Sequence, residues 1–434
     1  MKFLFKVIIV FLIIFNFRLP MVYDSVVVAI IVTALYYLFG GQSISLTYLS
    51  RRYVVTILIA TFLLLILVVF ITVMHQVYWF LMAKRVVLVF FMLSALIFAL
   101  PILIEDESTA FRDAVLVICS AFAIQGFIHT LGFLIAPVGD WLFNFQTERI
   151  KEMMLDPSRN IDRFRAYSLT GSPFFELPAA YGVACILFFR LQLGKDKGFL
   201  TGWRSYVIMF FLVMGIMLSG RTGFVGFFIG LFLYIFFTWR DSVIFKNIWK
   251  IFGVFILLVI LFYAGLTSKQ RESFIDDLFP FAFEAYYNWR DTGKFDTGSS
   301  DALLEGHYFV VPSETLLWGE GGDSGAVSGF GHTDAGYMNN LIFGGMFYLV
   351  FLIICQSFYI LPPMRLAGAY ASRQKRIDFY CFLFLFAYMF ILEAKAPTLG
   401  TQHITMVLLL YAGITYIVEY DAWEEAGAID EEYG

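Results

Sequence analysis

Three arginines of this 434-residue chain stand where an anion-binding site beside a membrane could form. Arg221 occupies the turn Ser219–Gly223 between two apolar runs, and Arg163 and Arg165 lie two residues apart before a Ser/Thr/Gly turn. An arginine near a membrane is costly unless it reaches the interface or meets an anion. One interpretation is an interfacial or solvated charge that pairs with nearby acids. The other is forked guanidinium contacts to the oxygens of a phosphate or diphosphate.

Proton transfer could be carried by residues that precede the apolar run starting at Met338. His332 and Asp334 stand there, and the unperturbed pKa of imidazole lies near neutrality, so a histidine suits a base or proton carrier. Asp334 or Thr333 would equally suit the N-cap of the following helix, and a single loop histidine is often a surface residue. His307 is a weaker candidate of the same kind.

Other polar or reactive groups fit packing better than chemistry. His129 and Gln125 lie inside an apolar run, and we expect them to hydrogen-bond each other or backbone carbonyls. The sequence has no P-loop, HExxH, GxSxG or DxD motif, so we expect neither a metal nor a cofactor. The cysteines all fall in apolar runs without CxxC spacing, which indicates packing residues rather than disulfides or metal ligands: Cys119, Cys185, Cys355 and Cys381.

The composition excludes an ordinary soluble domain. Hydrophobic residues make up 60% of the chain and charged residues 15%, and the mean hydropathy is +0.79. Charge-free runs such as Tyr53–Val73, Val86–Ile104 and Met338–Leu361 are long enough to cross the hydrocarbon core as helices. They are continuous rather than alternating, which argues against a β-barrel. We therefore predict an all-α, polytopic helical membrane protein that does not act on nucleic acid.

About twelve transmembrane helices are predicted, with one large polar loop over 267–337. The loop divides the chain into helices one to nine in 1–266, which include a linker at 137–173, then helices ten to twelve in 338–418, then an acidic tail at 419–434. The predicted helices cover 3–17, 22–39, 53–75, 86–104, 114–136, 174–190, 205–219, 222–239, 250–266, 338–361, 378–394 and 401–418.

The distribution of lysine and arginine predicts the orientation of the chain. Short linkers rich in these residues, such as 190–204 and 365–376, mark the cytoplasmic side. Both termini are then cytoplasmic and the large loop lies outside. The Lys84–Arg85 pair and the acidic Glu105–Glu107 fit this orientation badly. The first apolar run has no small-residue cleavage site, so we expect a retained helix. An amphipathic surface helix is predicted over 141–155 and another helix near 269–290.

The polar loop resembles the Wzy-type O-antigen and capsular repeat-unit polymerases. These proteins typically carry a Gly-Lys pair with Thr-x-Ser, a Leu-x-Gly-x-Gly turn, and Thr-Asp-x-Gly-Tyr before a helix that contains Gly-Gly. A turn with an arginine between small residues is shared with the related O-antigen ligases. The ligases' His-Asn signature is absent, which favours a polymerase. The matching positions are Gly293–Lys294, Thr297 with Ser299, Leu317–Gly321, Thr333–Tyr337, Gly344–Gly345 and Ser219–Gly223.

The resemblance implies a reaction at the outer face of the bacterial inner membrane. A growing glycan on undecaprenyl diphosphate would be transferred to the terminal sugar of a new lipid-linked repeat unit. The lipid diphosphate and membrane lipid would be partners, as would a chain-length regulator of the polysaccharide co-polymerase type. Arg163, Arg165 and Arg221 would hold the diphosphate, and His332 or Asp334 would take the acceptor proton. Candidates for glycan contacts are Arg290, Lys294, His307 and Tyr337.

Two other functions fit the same features. A ligase would move the finished glycan onto a lipid core. A transporter or flippase would translocate lipid-linked sugars without forming a glycosidic bond. Transporters usually carry ionisable residues or broken helices at the membrane midplane, and often internal repeats. Here the ionisable residues gather near the predicted helix ends instead.

Overall fold

The structure, a computed structural model, consists of helices and turns, and no strand occurs among the residues that it describes. Those residues are 2–19, 24–40, 48, 51–77, 80–155, 163–194, 202–239, 253–254, 256–260, 262–294, 297–298, 301, 303–322, 333–369, 372–399 and 402–425. His332 therefore lies outside the described part of the chain.

Twelve apolar helices form the body of the described structure, and each coincides with a predicted helix. Two of them run seven residues past the predicted ends, to 368 rather than 361 and to 425 rather than 418. An apolar run predicts the hydrophobic part of a helix, and it does not predict the polar helical turns that extend the helix beyond that part. The helices are α1 Lys2–Phe15, α2 Ser25–Gly40, α3 Arg52–Met74, α4 Leu81–Leu103, α5 Ala110–Leu134, α6 Glu176–Leu193, α7 Trp203–Ser219, α8 Thr222–Thr238, α9 Ile256–Gly265 (without residue 261), α10 Gly336–Gly368, α11 Arg373–Glu393 and α12 His403–Glu425.

Six helices are long and apolar enough to cross a membrane, counting described residues only: α3, α4, α5, α6, α10 and α12. The centre of the bundle is α12, which packs against α4, α5, α6 and α10. By contrast, α3 and α10 expose large apolar side chains such as Phe62, Phe70 and Phe347. Exposed apolar side chains on long helices are typical of a protein that faces the hydrocarbon of a membrane, because the hydrophobic effect does not drive their burial there.

One end of the bundle holds the N termini of α6, α10 and α12 and the C termini of α5 and α11. The described residues of the polar segment 267–337 pack at this end of the bundle, which we call the loop end. Gln270 donates to the Leu134 carbonyl at the end of α5, and the Tyr308 hydroxyl donates to the Ala394 carbonyl just after α11.

The opposite end is fastened by a buried ion pair. The Arg190 guanidinium in the last turn of α6 lies 2.6 Å from Asp378 Oδ1 near the start of α11 and 4.5 Å from the centroid of the Phe111 ring. Glu419 near the end of α12 accepts a hydrogen bond from the Phe111 backbone N–H. Loss of one partner would leave a buried charge unpaired, which typically costs about 3–5 kcal/mol.

The polar segment begins as a succession of short helical turns rather than one helix near 269–290. Thr267 and Gln270 form a capping box on Ser268–Ser273, and a π-helical turn then leads to the helices Phe279–Ala282 and Glu284–Thr292. Pro280 lies in the first turn of the helix Phe279–Ala282, where its missing N–H needs no partner.

The linker before α6 also differs from the prediction. Instead of one helix over 141–155, two short helices cover Ala136–Phe143 and Glu148–Leu155, and they are separated by the turn at 144–147. The second helix is amphipathic as predicted, with Ile150 and Met154 buried.

The apolar run of α10 contains a break that the run itself did not predict. Gly344 and Gly345 leave helical geometry, and Gly345 has a φ of 66°. The carbonyls of Ile342 and Phe343 accept hydrogen bonds of 2.6 and 2.8 Å from the backbone N–H groups of Glu320 and Gly321. The turn at 319–321 of the polar segment therefore supplies the donors that the interrupted helix lacks.

This contact requires glycine at both surfaces. A Cβ at Gly345 would overlap the Leu317 carbonyl, and one at Gly319, which has a φ of 73°, would overlap the backbone of Phe343 and Gly344. Two glycine-containing motifs that are separate in the sequence are thus one interface in the structure.

We predict that Gly345→Ala destabilises the protein by about 3 kcal/mol or more, because strain at positive φ adds to backbone overlap. Gly293→Ala is the matched control: its φ is 75°, but nothing lies within 4 Å of a Cβ there. We expect about 1 kcal/mol for that variant. Thermal unfolding in detergent measures both, and equal shifts in melting temperature would contradict the interface.

Candidate anion-binding site

Arg165 lies in the 3₁₀ turn Arg163–Ala166, whose backbone is held by two buried side chains. His129 Nε2 lies 2.9 Å from the Phe164 carbonyl oxygen, and Gln146 Nε2 donates to the carbonyls of Ala166 and Ser168 at 3.0 and 2.7 Å. The expected backbone partner of His129 is thus present, whereas Gln125 has no hydrogen-bond partner among the described residues. The hydrogen bonds from these two side chains fix the backbone of the turn without any ligand.

The Arg165 guanidinium is aimed by backbone carbonyls and aromatic rings. Its Nε donates to the Ser219 carbonyl at 3.0 Å and its Nη2 to the Phe174 carbonyl at 3.0 Å. The Cζ atom lies 5.1 Å from the ring centroids of both Phe174 and Phe281. Ser219 is the last residue of α7, so this contact joins the linker to the turn that carries Arg221.

Arg221 stands between α7 and α8 and faces the same phenylalanine. Its Cζ lies 5.2 Å from the Phe281 centroid, and its guanidinium pairs with Glu284 on the polar segment. The second oxygen of Glu284 accepts a hydrogen bond from the Gly298 N–H at 2.8 Å. The structure therefore places the guanidiniums of Arg165 and Arg221, two separate candidates from the sequence, against the same Phe281 ring.

A third cation joins them that the sequence analysis missed. Lys395 follows α11, and burial together with the nearby charges of Arg221 and Arg165 lowers the pKa of its ammonium group to about 8. Within the described part of the chain, Lys395 has no ion-pair partner. We call Arg165, Arg221 and Lys395 the cationic cluster. Three cations close enough to repel one another form a place where an anion is stabilised.

Glu393 shapes the segment that presents Lys395. Its carboxylate is buried and accepts hydrogen bonds from Asn340 Nδ2 at 2.6 Å and from the backbone N–H groups of Thr398 and Leu399. These bonds connect the end of α11 to α10 and close the turn that follows it. Glu393 therefore has a structural role. The sequence signal that could have identified Glu393 and Lys395 is a pair of charged residues at the end of an apolar run.

The candidates near the start of α10 form a separate group. The His307 Nδ1 accepts a hydrogen bond from the Asp334 backbone N–H at 3.0 Å, and its Nε2 lies 4.0 Å from Asp334 Oδ2. Because Nδ1 is an acceptor, a neutral His307 carries its proton on Nε2 and has no free lone pair. His307 is thus poorly placed to act as a base.

Asp334 and Tyr337 have different surroundings. The Asp334 side chain is 68% exposed, and neither it nor Thr333 caps α10, whose N-cap is Ala335 without a side-chain hydrogen bond. The Tyr337 hydroxyl donates to the Phe390 carbonyl of α11 at 3.0 Å. Asp334 is thus the exposed acid of this group, while Tyr337 fastens α10 to α11.

The remaining candidates are either exposed or outside the described part of the structure. Arg290 is exposed and pairs with the adjacent Asp291, and its Cζ lies 4.9 Å from the Tyr287 centroid. Lys294 is exposed beyond the end of the same helix. The backbone of Arg163 belongs to the 3₁₀ turn, and its side chain is outside the described part of the structure. His332 is outside it entirely.

Among the described residues, no group of three His, Cys, Asp or Glu side chains is placed to hold a metal ion. Comparison of the chain with protein-family models, curated proteins and solved structures gives no match.

We predict that the cluster binds a diphosphate more weakly as the pH rises through about 8, because Lys395 then loses its proton. Lys395→Gln removes this component and lowers affinity about tenfold at pH 7, which corresponds to one charge-assisted hydrogen bond. Calorimetric titration with pyrophosphate at pH 7 and 9.5 measures both proteins. The probe's own titration is common to the two, so parallel pH profiles would rule out a contribution from Lys395.

Proposed function

We propose that the chain is a metal-independent glycosyltransferase that polymerises lipid-diphosphate-linked oligosaccharide repeat units. The growing glycan on undecaprenyl diphosphate is transferred to the non-reducing-end sugar of a new lipid-linked unit. The observation that carries the proposal is the cationic cluster at the loop end, built from three separate segments of an otherwise apolar bundle. The resemblance of the polar segment to repeat-unit polymerases supports the same assignment.

The chemistry of the cluster suits a departing diphosphate. Cleavage of the glycosyl–phosphate bond leaves negative charge on the diphosphate, and preorganised cations stabilise that charge as it develops. Arg165 is held by neutral carbonyls, so its remaining N–H groups have a fixed direction. Binding of an anion raises the pKa of Lys395 again, because the negative charge offsets the repulsion from the two guanidiniums.

The position of the cluster suits a lipid carrier. It lies where α7 ends and α8 begins, so a bound diphosphate would sit at the bundle end while its polyprenyl chain stays in hydrocarbon. The exposed apolar residues of α8, among them Phe228 and Phe232, provide a surface for such a chain. The polar segment covers the same end and is the natural place for the acceptor sugar.

One observation, the break in α10, bears on the transporter hypothesis, but the hydrogen bonds at the break argue against that hypothesis. A broken helix is present in α10, but the carbonyls freed there bind the amides of Glu320 and Gly321 and not an ion. The break lies about eight residues, or roughly 12 Å, from the start of α10, and the turn at 319–321 of the polar segment reaches it. It therefore serves to seat the polar segment.

The proposed location is the bacterial inner membrane, with twelve spans, cytoplasmic termini and the loop end outside. The glycan contacts proposed for Arg290, Lys294, His307 and Tyr337 and a chain-length regulator as partner belong to the same proposal.

Cysteine labelling tests the orientation. The four native cysteines are free thiols and buried, so they give little background. We predict that a membrane-impermeant maleimide labels Lys294→Cys in intact spheroplasts, and labels Arg376→Cys, exposed at the opposite end, only after permeabilisation. The reverse pattern would place the loop end in the cytoplasm and end the proposal.

Substitution of the arginines tests the function. We predict that Arg221→Ala and Arg165→Ala each lower the rate of chain extension about 10²–10³-fold, the usual effect of removing one donor to a developing charge. Arg221→Lys keeps the positive charge but cannot form two parallel hydrogen bonds, so its rate of chain extension should lie between those of the wild type and Arg221→Ala. Extension is measured as polymer length per time with purified protein and extracted lipid-linked repeat units.

Arg376→Ala is the matched control, because its exposed guanidinium lies at the opposite end of the bundle. Normal polymer from Arg221→Ala at wild-type expression would exclude that residue from the site. Translocation of lipid-linked units in vesicles without new glycosidic bonds would favour a flippase, and transfer to added lipid core without extension would favour a ligase.

A further inference from the structure

A histidine and a glutamate from different helices meet at the loop end. Glu176 is the first residue of α6, and His403 is the first residue of α12. His403 Nδ1 lies 3.4 Å from Glu176 Oε2, and their side chains are 13% and 17% exposed. Asp24, just before α2, interacts electrostatically with His403, and Lys84 on α4 interacts in turn with Asp24.

The geometry determines which nitrogen of His403 can accept a proton. Nδ1 lies within ion-pair distance of the Glu176 carboxylate, although the two atoms are not hydrogen-bonded and Glu176 Oε2 has no hydrogen-bond partner within the described part of the chain. A neighbouring carboxylate favours the neutral ring that carries its proton on Nδ1, and this form presents a lone pair at Nε2. Nε2 is buried and has no hydrogen-bond partner within the described part of the chain. The same holds for the nearby Gln402 Oε1 and Thr405 Oγ1. Buried polar atoms are normally bonded, so this group of acceptors is suited to a hydroxyl-rich ligand.

Two chain segments link the pair to the cationic cluster. Phe174, whose carbonyl binds Arg165 Nη2, is only two residues before Glu176. Lys395 and His403 stand at the two ends of the connection from α11 to α12. Within the connection, the backbone N–H groups of Thr398 and Leu399 are hydrogen-bonded to Glu393, which holds the part next to Lys395.

We infer that His403 is the base of the proposed transfer reaction and that Glu176 positions it, an assignment that rests on the proposed function. The acceptor sugar hydroxyl attacks the anomeric carbon of the donor glycan, and a new C–O bond forms. The bond from that carbon to the diphosphate oxygen breaks, and its electron pair leaves with the diphosphate into the cationic cluster. The hydroxyl proton passes to His403 Nε2, and Glu176 stabilises the imidazolium that results.

The bases expected from the sequence were His332 or Asp334, with His307 as a weaker candidate, and His332 lies outside the described part of the chain. His307 uses its acceptor nitrogen on the Asp334 N–H, and Asp334 is largely exposed, so neither of these two has the geometry of the Glu176–His403 pair. His403 was overlooked because its carboxylate partner lies in a distant part of the sequence.

Kinetics of the full-length protein in nanodiscs test the inference. The substrate is lipid-diphosphate-linked repeat units extracted from source cells that lack this gene. We expect His403→Ala to lower kcat about 10²–10⁴-fold, the range for loss of a general base, with KM and pyrophosphate affinity unchanged. Added imidazole should restore part of kcat to His403→Ala and none to Arg221→Ala.

Glu176 is tested by a conservative series. Glu176→Gln should lower kcat, and Glu176→Asp should retain more of it, because the carboxylate still orients the ring. Glu148→Gln is the matched control, since its side chain is 69% exposed at the same end of the bundle.

The outcomes separate the two proposals. Chain extension by wild-type protein together with full kcat in His403→Ala would overturn the role of the pair alone. A lower kcat accompanied by a lower melting temperature, weaker pyrophosphate binding and no imidazole rescue would identify the pair as a structural site that holds only water. Absence of extension by the wild-type protein would overturn the proposed function and the pair with it.

Discussion

The structure depends on satisfying backbone groups where an apolar helix is interrupted. At Gly344–Gly345 the chain of α10 leaves helical geometry, and in an apolar bundle the carbonyls of the preceding turn would otherwise be unpaired. The amides of Glu320 and Gly321 provide the missing partners. Because such bonds are costly to leave unmade, the polar segment is seated at one end of the bundle and not merely tethered there.

The packing of the polar segment against α10 also determines how the cationic cluster is assembled. Once the segment is placed, Phe281 and Glu284 lie over the turn between α7 and α8, and the ring of Phe281 contacts Arg165 as well as Arg221. Lys395 approaches from the end of α11, which is fixed by Glu393. The cluster is thus assembled by tertiary packing, and each of its members belongs to a segment that is stabilised for a separate reason.

Apolar runs predicted the positions of the helices, although only six of the described helices are long and apolar enough to cross a membrane. Arg165 and Arg221 were also predictable, since a guanidinium between apolar runs needs a special explanation. Lys395 was not, because it follows an apolar run closely and becomes distinctive only beside two arginines from elsewhere. The break in α10 was missed for a related reason: its hydrogen-bond donors come from another segment. The single helix expected over 141–155 failed because apolar spacing does not report the turn at 144–147.

The ion pair between Arg221 and Glu284 has a thermodynamic consequence. Glu284 occupies one side of the guanidinium with a carboxylate of the protein's own, so an incoming anion competes with it for the same N–H groups. If an anion occupies the cluster, its binding and the attachment of helix Glu284–Thr292 to the turn between α7 and α8 are negatively linked, and each weakens the other by the same factor. The glutamate would then act as an internal counter-ion whose displacement loosens its own helix.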